Sequence, residues 1–85
     1  VNITVNSILP GFISTGRLDH LINVNSKRKN TTEEKITEEM ISSIPMKRFG
    51  DPSEVAAVAA FLASPAASYV NGVSILVDGG KTGTI

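Results

Sequence analysis

Two short apolar runs at opposite ends of the chain, Ile3–Leu9 and Val73–Asp78, are its strand candidates, and the sequence between them is patterned for helix and turn. The first run carries Ile, Thr, Val, Ile and Leu with little alternation, the pattern of a strand covered on both faces in a parallel sheet. A strand, intervening helices and a second strand imply a right-handed parallel crossover, and hence an α/β fold. Two such strands need helices above and below and further strands beside them. In 85 residues the chain supplies only part of either. A chain of this length also buries only about 60% of its unfolded surface, which makes a two-layer fold marginal. The expectation is a single incomplete segment, residues 1–85, of a larger α/β domain, and the opening on Val1 within strand-like sequence fits it.

The clearest helix signal is "DPSEVAAVAAFLASP". Asp51 can cap, Pro52 suits the first helical position, and Glu54 stands three residues after the cap to close a capping box. Val55, Val58, Ala59 and Leu62 make one apolar stripe. Ala56, Ala57, Ala60 and Ala63 leave the other faces small and nonpolar, which predicts a helix buried on more than one side. "LDHLINVN" and "TTEEKITEEMISSI" predict two further helices. The second has Thr31 or Thr32 as its cap, glutamates in its first turn, and Ile36, Met40 and Ile44 four apart on one face. "NSKRKN" between them reads as an exposed bend, with Lys27-Arg28-Lys29 a solvated run rather than an anion site. Asn6 interrupts the first strand and must find a partner, so it is expected to pin the neighbouring loop.

Twelve of the sixteen charged side chains lie between Arg17 and Arg48, so the middle of the chain is wet and its ends are not. Eight basic residues balance eight acidic ones, which removes the electrostatic case for nucleic acid or an anionic membrane as partner. Without cysteine there is no disulfide framework or thiolate metal site, and no apolar run approaches the ~18 residues of a transmembrane helix. A cytoplasmic protein without a metal is the expectation. The sequons at Asn2 and Asn30 follow no signal peptide and read as chance matches.

The order "ITVNSILPGFIST", "IPMKRFGDPSEVAAVAAFLAS", "ASYVNGVSILVDGG" closely resembles the C-terminal portion of the classical short-chain dehydrogenase/reductases, particularly the 3-oxoacyl-[acyl-carrier-protein] reductase-like branch, from Ile3 to Gly80. The resemblance implies the C-terminal part of a Rossmann-type doubly wound parallel sheet: strand, lid helices, capped helix, last strand. In such sheets ligands sit beyond the carboxyl ends of the strands, and "PGFIST" is such an exit. Pro10 fixes φ and withholds a donor, while Gly11 lets the backbone approach a flat ligand without a Cβ in the way.

The family pattern Pro-Gly-x-(Ile/Val)-x-Thr makes Pro10, Gly11, Ile13 and Thr15 the implied cofactor-binding residues. By that resemblance Ile13 would offer its backbone N–H and C=O to the carboxamide of NAD or NADP. Thr15 would offer its hydroxyl to the carboxamide or the pyrophosphate. Without the resemblance the stretch is an ordinary turn in which Thr15 bonds its own backbone. Residues 16–44 resemble the family's substrate-binding lid, in which Leu18, Leu21 and Ile22 either face substrate or form the lid's core. Arg48 and Gly50 match an Arg-x-Gly-x-Pro block whose implied role is structural, a turn glycine and a cation before a capped helix.

Neither G-x-x-x-G-x-G nor Tyr-x-x-x-Lys occurs in the sequence, so no catalytic residue is expected in this chain. Tyr69 is followed four residues on by Val73 and is expected to pack with its hydroxyl at a wet edge. His20, the one histidine, is expected at the surface. The resemblance implies a complete protein that transfers hydride between NAD(P) and a carbonyl or secondary alcohol. This chain would supply nicotinamide-side contacts, the substrate lid and an interface of a homotetramer. The expected partners are a small carbonyl or alcohol substrate, the remainder of the same fold and further copies of the protein. The alternative is a non-catalytic assembly module derived from that fold, packing through its alanine-rich helix and last strand. An independent small binding domain fits less well, because its sheet edges would lie bare.

Overall fold

β1 (Ser7–Pro10) and β2 (Ser74–Val77) pair in parallel, from Ser7 opposite Ser74 to Pro10 opposite Val77, in a computed structural model that describes residues 3–82. Val1 and the sequon asparagine Asn2 lie outside the described residues. β1 is shorter than the predicted run from Ile3, because its approach pairs with a turn rather than a strand. Val5 donates its N–H to Asn71 Oδ1 at 3.0 Å and accepts from Gly72 N at 2.9 Å. Asn6 pins the neighbouring loop as expected: Nδ2 donates to Val70 O at 3.2 Å and Oδ1 accepts from Val73 N at 3.1 Å. Its amide stands in for one rung of the ladder, satisfying backbone groups that would otherwise be orphaned where the loop enters β2.

Between the strands lie α1 (Gly16–Arg28), α2 (Glu33–Ser42), α3 (Pro52–Ala63) and a 3₁₀ turn at Pro65–Ala67. α1 continues through most of the segment predicted as a bend. Ser26 is buried and its hydroxyl donates to Asn23 O at 2.7 Å, while Lys27 and Arg28 sit in the last turn, where cations favour the helix dipole. The chain reverses only at Asn30, whose φ of 53° is left-handed. Asn30 N donates to Lys27 O and Thr31 N to Ser26 O, a Schellman closure with asparagine in the place glycine most often takes. Thr32 then caps α2, accepting from Lys35 N at 3.2 Å, with Glu33 and Glu34 in the first turn.

α1 and α2 pack as a pair around buried Leu18, Ile22 and Ile36, with Phe12, Met40 and Phe49 closing the edge. The Phe12 and Phe49 rings meet edge to face at 6.3 Å and 77°. Ile44, just past the end of α2, is the most deeply buried large side chain among the described residues.

α3 starts as predicted: Asp51 accepts from Ser53 N at 2.9 Å, Glu54 Oε1 accepts from Asp51 N at 2.8 Å, and Pro52 takes the first position. Its burial departs from the prediction. No residue of α3 is buried: Val55, Val58 and Leu62 are partly covered, and Phe61 and the alanine faces are open. A helix laid beside β1 has only a two-stranded platform to cover it, so one side packs and the others do not. Tyr69 is likewise fully exposed rather than packed. The radius of gyration is 15.9 Å, against about 12 Å for a compact domain of this length. The helical pair and the strand–helix body extend along one axis instead of closing around a shared core.

Candidate nicotinamide-side cleft

The site is built on the loop from Gly11 to Thr15, where β1 gives way to α1. Gly11 N donates to Val77 O at 3.0 Å, the last bond tying this exit to β2. A Cβ on Gly11 would lie 2.7 Å from Asp78 Cβ and 2.9 Å from Asp78 Cα. Glycine is thus required here by the close passage of the two strand exits, in addition to whatever approaches from the open side.

One residue farther, Gly50 crosses the loop. It pairs in parallel with Ile13, donating its N–H to Phe12 O and accepting from Ser14 N, both at 2.9 Å. In such a pairing the residue opposite directs its own N–H and C=O the other way. Ile13 therefore presents a backbone donor and an acceptor outward, and neither has a partner among the described residues. Gly50 had read from the sequence only as a turn glycine; its place as the clamp of this loop rests on a contact across 37 positions that no local pattern announces.

Thr15 caps α1, its Oγ1 accepting from Leu18 N at 3.4 Å. This is the local-turn arrangement, and it leaves the hydroxyl proton able to donate outward. Above the loop, α1 forms one wall of an open cleft of about 650 Å³, within the range of small-molecule sites. Pro10, Gly11, Ile13, Thr15, Leu18 and Leu21 all line it. Ile22 does not: it turns into the core beside Ile36, while Leu18 serves both core and wall. Phe12, Arg17, His20 and Val24 also line the cleft and were missed as site residues. The signal was present for three of them, since positions 17, 20, 21 and 24 follow the helical spacing that puts side chains on one face.

Around the base of α3 the electrostatics are structural. Arg48 Nη1 and Nη2 donate to Glu54 Oε1 and Oε2 at 2.7 and 2.9 Å, as expected for a cation before a capped helix. The Arg48 guanidinium first, and the Asp51 N–H second, hold the Glu54 carboxyl down to about 2 from an ordinary 4.5. Because the unfolded chain takes up the proton at the higher pH, this contribution to stability is complete above about pH 4.5 and is lost as pH falls toward 2. Glu54→Gln should flatten that part of the stability-against-pH curve, as measured by thermal melts across it. Salt should shrink the difference, since both partners are about half exposed. Asp78 is held below its usual range by the Thr82 hydroxyl, with the Thr82 and Gly80 N–H groups adding to it, and so orders the turn leaving β2. Among the described residues no group of His, Asp or Glu is placed to hold a metal, and no helix is long and apolar enough to cross a membrane.

Residues 1–82 match the family described as enoyl-(acyl carrier protein) reductase. The NADPH-dependent reductase BacG of Bacillus subtilis (strain 168) is 46% identical over 84 residues, covering 99% of this chain and 32% of its own length. The 3-oxoacyl-[acyl-carrier-protein] reductase FabG of Thermotoga maritima is 46% identical over 79 residues, covering 93% of this chain and 28% of its own. The crystal structure of YwfH, an NADPH-dependent reductase involved in bacilysin biosynthesis, superposes with a TM-score of 0.88 at 46% identity, over 99% of this chain and 32% of that one. The chain spans about a third of the length of the relatives it matches. By the match along its length and the shared parallel α/β architecture, it belongs to the short-chain dehydrogenase/reductases, in the family described as enoyl-(acyl carrier protein) reductase.

Proposed function

We propose that this chain is the nicotinamide-side segment of an NAD(P)-dependent oxidoreductase that transfers hydride between the cofactor and a carbonyl or secondary alcohol. The observation that carries the reading is the outward N–H and C=O of Ile13 beside the Thr15 hydroxyl, on the floor of the cleft. A carboxamide has one donor and one acceptor face, and this backbone pair complements both. The cofactor, when bound, supplies the hydride chemistry; the protein binds and orients it. That BacG and YwfH are NADPH-dependent reductases favours a nicotinamide here, and the fit of the Ile13 and Thr15 groups gives the preference a physical basis.

In this reading Pro10 and Gly11 set the course of the loop, and residues 16–44 act as the substrate lid. Leu21 faces the cleft, and Ile22 holds the two lid helices together. The glycine-rich phosphate turn and the Tyr-x-x-x-Lys pair, which this sequence does not contain, would come from the remainder of the same fold. α3 and β2 face other copies in a homo-oligomer, supported by the apolar surface they leave uncovered.

Thr15 tests the cofactor contact. In the complete enzyme Thr15→Ser should keep both cap and hydroxyl, and bind nicotinamide as before. Thr15→Asp keeps an excellent N-cap but removes the donor. It should therefore melt at an unchanged temperature while its nicotinamide dissociation constant rises, by up to about tenfold for one lost hydrogen bond and more if an acceptor is stranded. Unchanged binding in Thr15→Asp, read by quenching of nicotinamide fluorescence, would leave Thr15 a cap only.

A further inference from the structure

The face of α1 that walls the cleft carries Arg17, His20, Leu21 and Val24, and among the described residues no carboxylate lines the cleft. Arg17 lies in the first turn, two residues from Thr15 and so at the loop end of the cleft. Val24 lies seven residues on, about 10 Å along the helix. The described residues hold two ion pairs, Lys29–Glu39 and Arg48–Glu54, and neither involves Arg17. No side-chain hydrogen bond among the described residues uses its guanidinium either. Asp19, the acid of the same turn, does not line the cleft. Among the described residues a permanently charged fork of five donors thus has no partner at one end of an apolar wall, where Leu21 and Val24 are each 41% exposed.

Resting on the oxidoreductase reading above, we infer that the substrate is an oxo acid: a carbonyl compound with a carboxylate close to the reacting carbon, held by Arg17, and an apolar body lying along Leu21 and Val24. The order along α1 sets this arrangement. The nicotinamide is proposed at Ile13 and Thr15, so the carbonyl must lie at that end, and Arg17 is the cation of the same turn. Guanidinium meets carboxylate in a planar two-point contact, which fixes the carbonyl's orientation as well as its place. His20, one turn on, is a further donor on the same wall. The apolar body extends away from the charge, toward Val24.

The probes are 2-oxohexanoate and its neutral ethyl ester, with pyruvate as the acid lacking an apolar body, each tested on the complete enzyme. Wild type should favour 2-oxohexanoate over the ester by about tenfold or more in kcat/KM, as for hydrogen bonds to a charged group, and over pyruvate as well. Arg17→Gln should lose that advantage for the acid and leave the ester within about twofold, while Arg17→Lys keeps part of it through its point charge. The nicotinamide dissociation constant should be the same in all three proteins. Equal use of acid and ester by wild type overturns the inference, as does an equal loss on both in Arg17→Gln. A nicotinamide constant that rises with Arg17→Gln would instead assign the guanidinium to the cofactor's phosphates. If no probe is turned over, the oxo-acid inference fails as a statement about substrate, and 2-oxohexanoate binding no tighter than its ester by calorimetry removes the Arg17 anion site as well; nicotinamide binding by the same enzyme tests the oxidoreductase reading separately.

Discussion

Gly11→Ala should cost the protein about 1–3 kcal/mol or more of unfolding free energy, the range of an overpacked core site, although alanine adds only a methyl group. That methyl would stand 2.7 Å from Asp78 Cβ and 2.9 Å from Asp78 Cα, and the second contact is with backbone that cannot rotate aside. Relief requires the exits of β1 and β2 to part, which stretches the Gly11 N to Val77 O bond and shifts Asp78. Asp78 in turn holds the Gly80 and Thr82 N–H groups, so the damage spreads into the turn after β2. Gly16→Ala is the matched control. Nothing lies within 4 Å of a Cβ there, and the position opens α1, so the change should be neutral or stabilise by up to about 1 kcal/mol. Urea unfolding of both variants checks the pair; equal midpoints would show that the strand exits part at no cost.

In the proposed homo-oligomer, Ala57→Glu or Ala60→Arg should dissociate the assembly or prevent folding. Both alanines lie on open faces of α3, and the same body exposes Phe61, Val5 and Tyr69. Small side chains let a second helix approach closely, and a charge placed in such a contact must be desolvated without a partner, which is strongly unfavourable. Lys29→Glu should do neither: its ion pair with Glu39 spans 3.7 Å between side chains about 60% exposed, a kind of pair that contributes little. Light scattering distinguishes the outcomes. A stable, active wild-type monomer would remove α3 from any interface.

Local chemistry made much of this architecture legible. The capping box at Asp51 and Glu54, a cap at Thr31 or Thr32, which the structure puts at Thr32, and the bracing of the loop by Asn6 are each decided within a few residues or by the need of one polar group for a partner. The end of α1 was less legible. Lys-Arg-Lys looks like a bend by charge alone, yet Ser26 is buried, α1 runs on to Arg28, and the chain reverses only at Asn30, the last residue of the predicted bend, which accepts a left-handed backbone. The burial predicted for α3 and Tyr69 failed for a different reason. Composition reports what a surface would prefer to touch, and the two strands present here do not cover it.

By itself, then, the sequence determined most of the elements and their caps, because those depend on interactions between near neighbours, while the loop proposed for the cofactor was marked by its resemblance to a family pattern and not by local chemistry. The resemblance names the N–H and C=O of Ile13, and only the tertiary structure shows what leaves them without a partner among the described residues. Gly50, far along the chain, takes up the Phe12 C=O and the Ser14 N–H and turns the donor and acceptor of Ile13 outward. It also decided that Leu21 walls the cleft while Ile22, its neighbour, is core, since one helical step of about 100° separates a side chain in the cleft from one packed on α2. A backbone group freed by a distant partner, and the rotation of a helix about its axis, are set by packing across the fold and leave no local pattern to read.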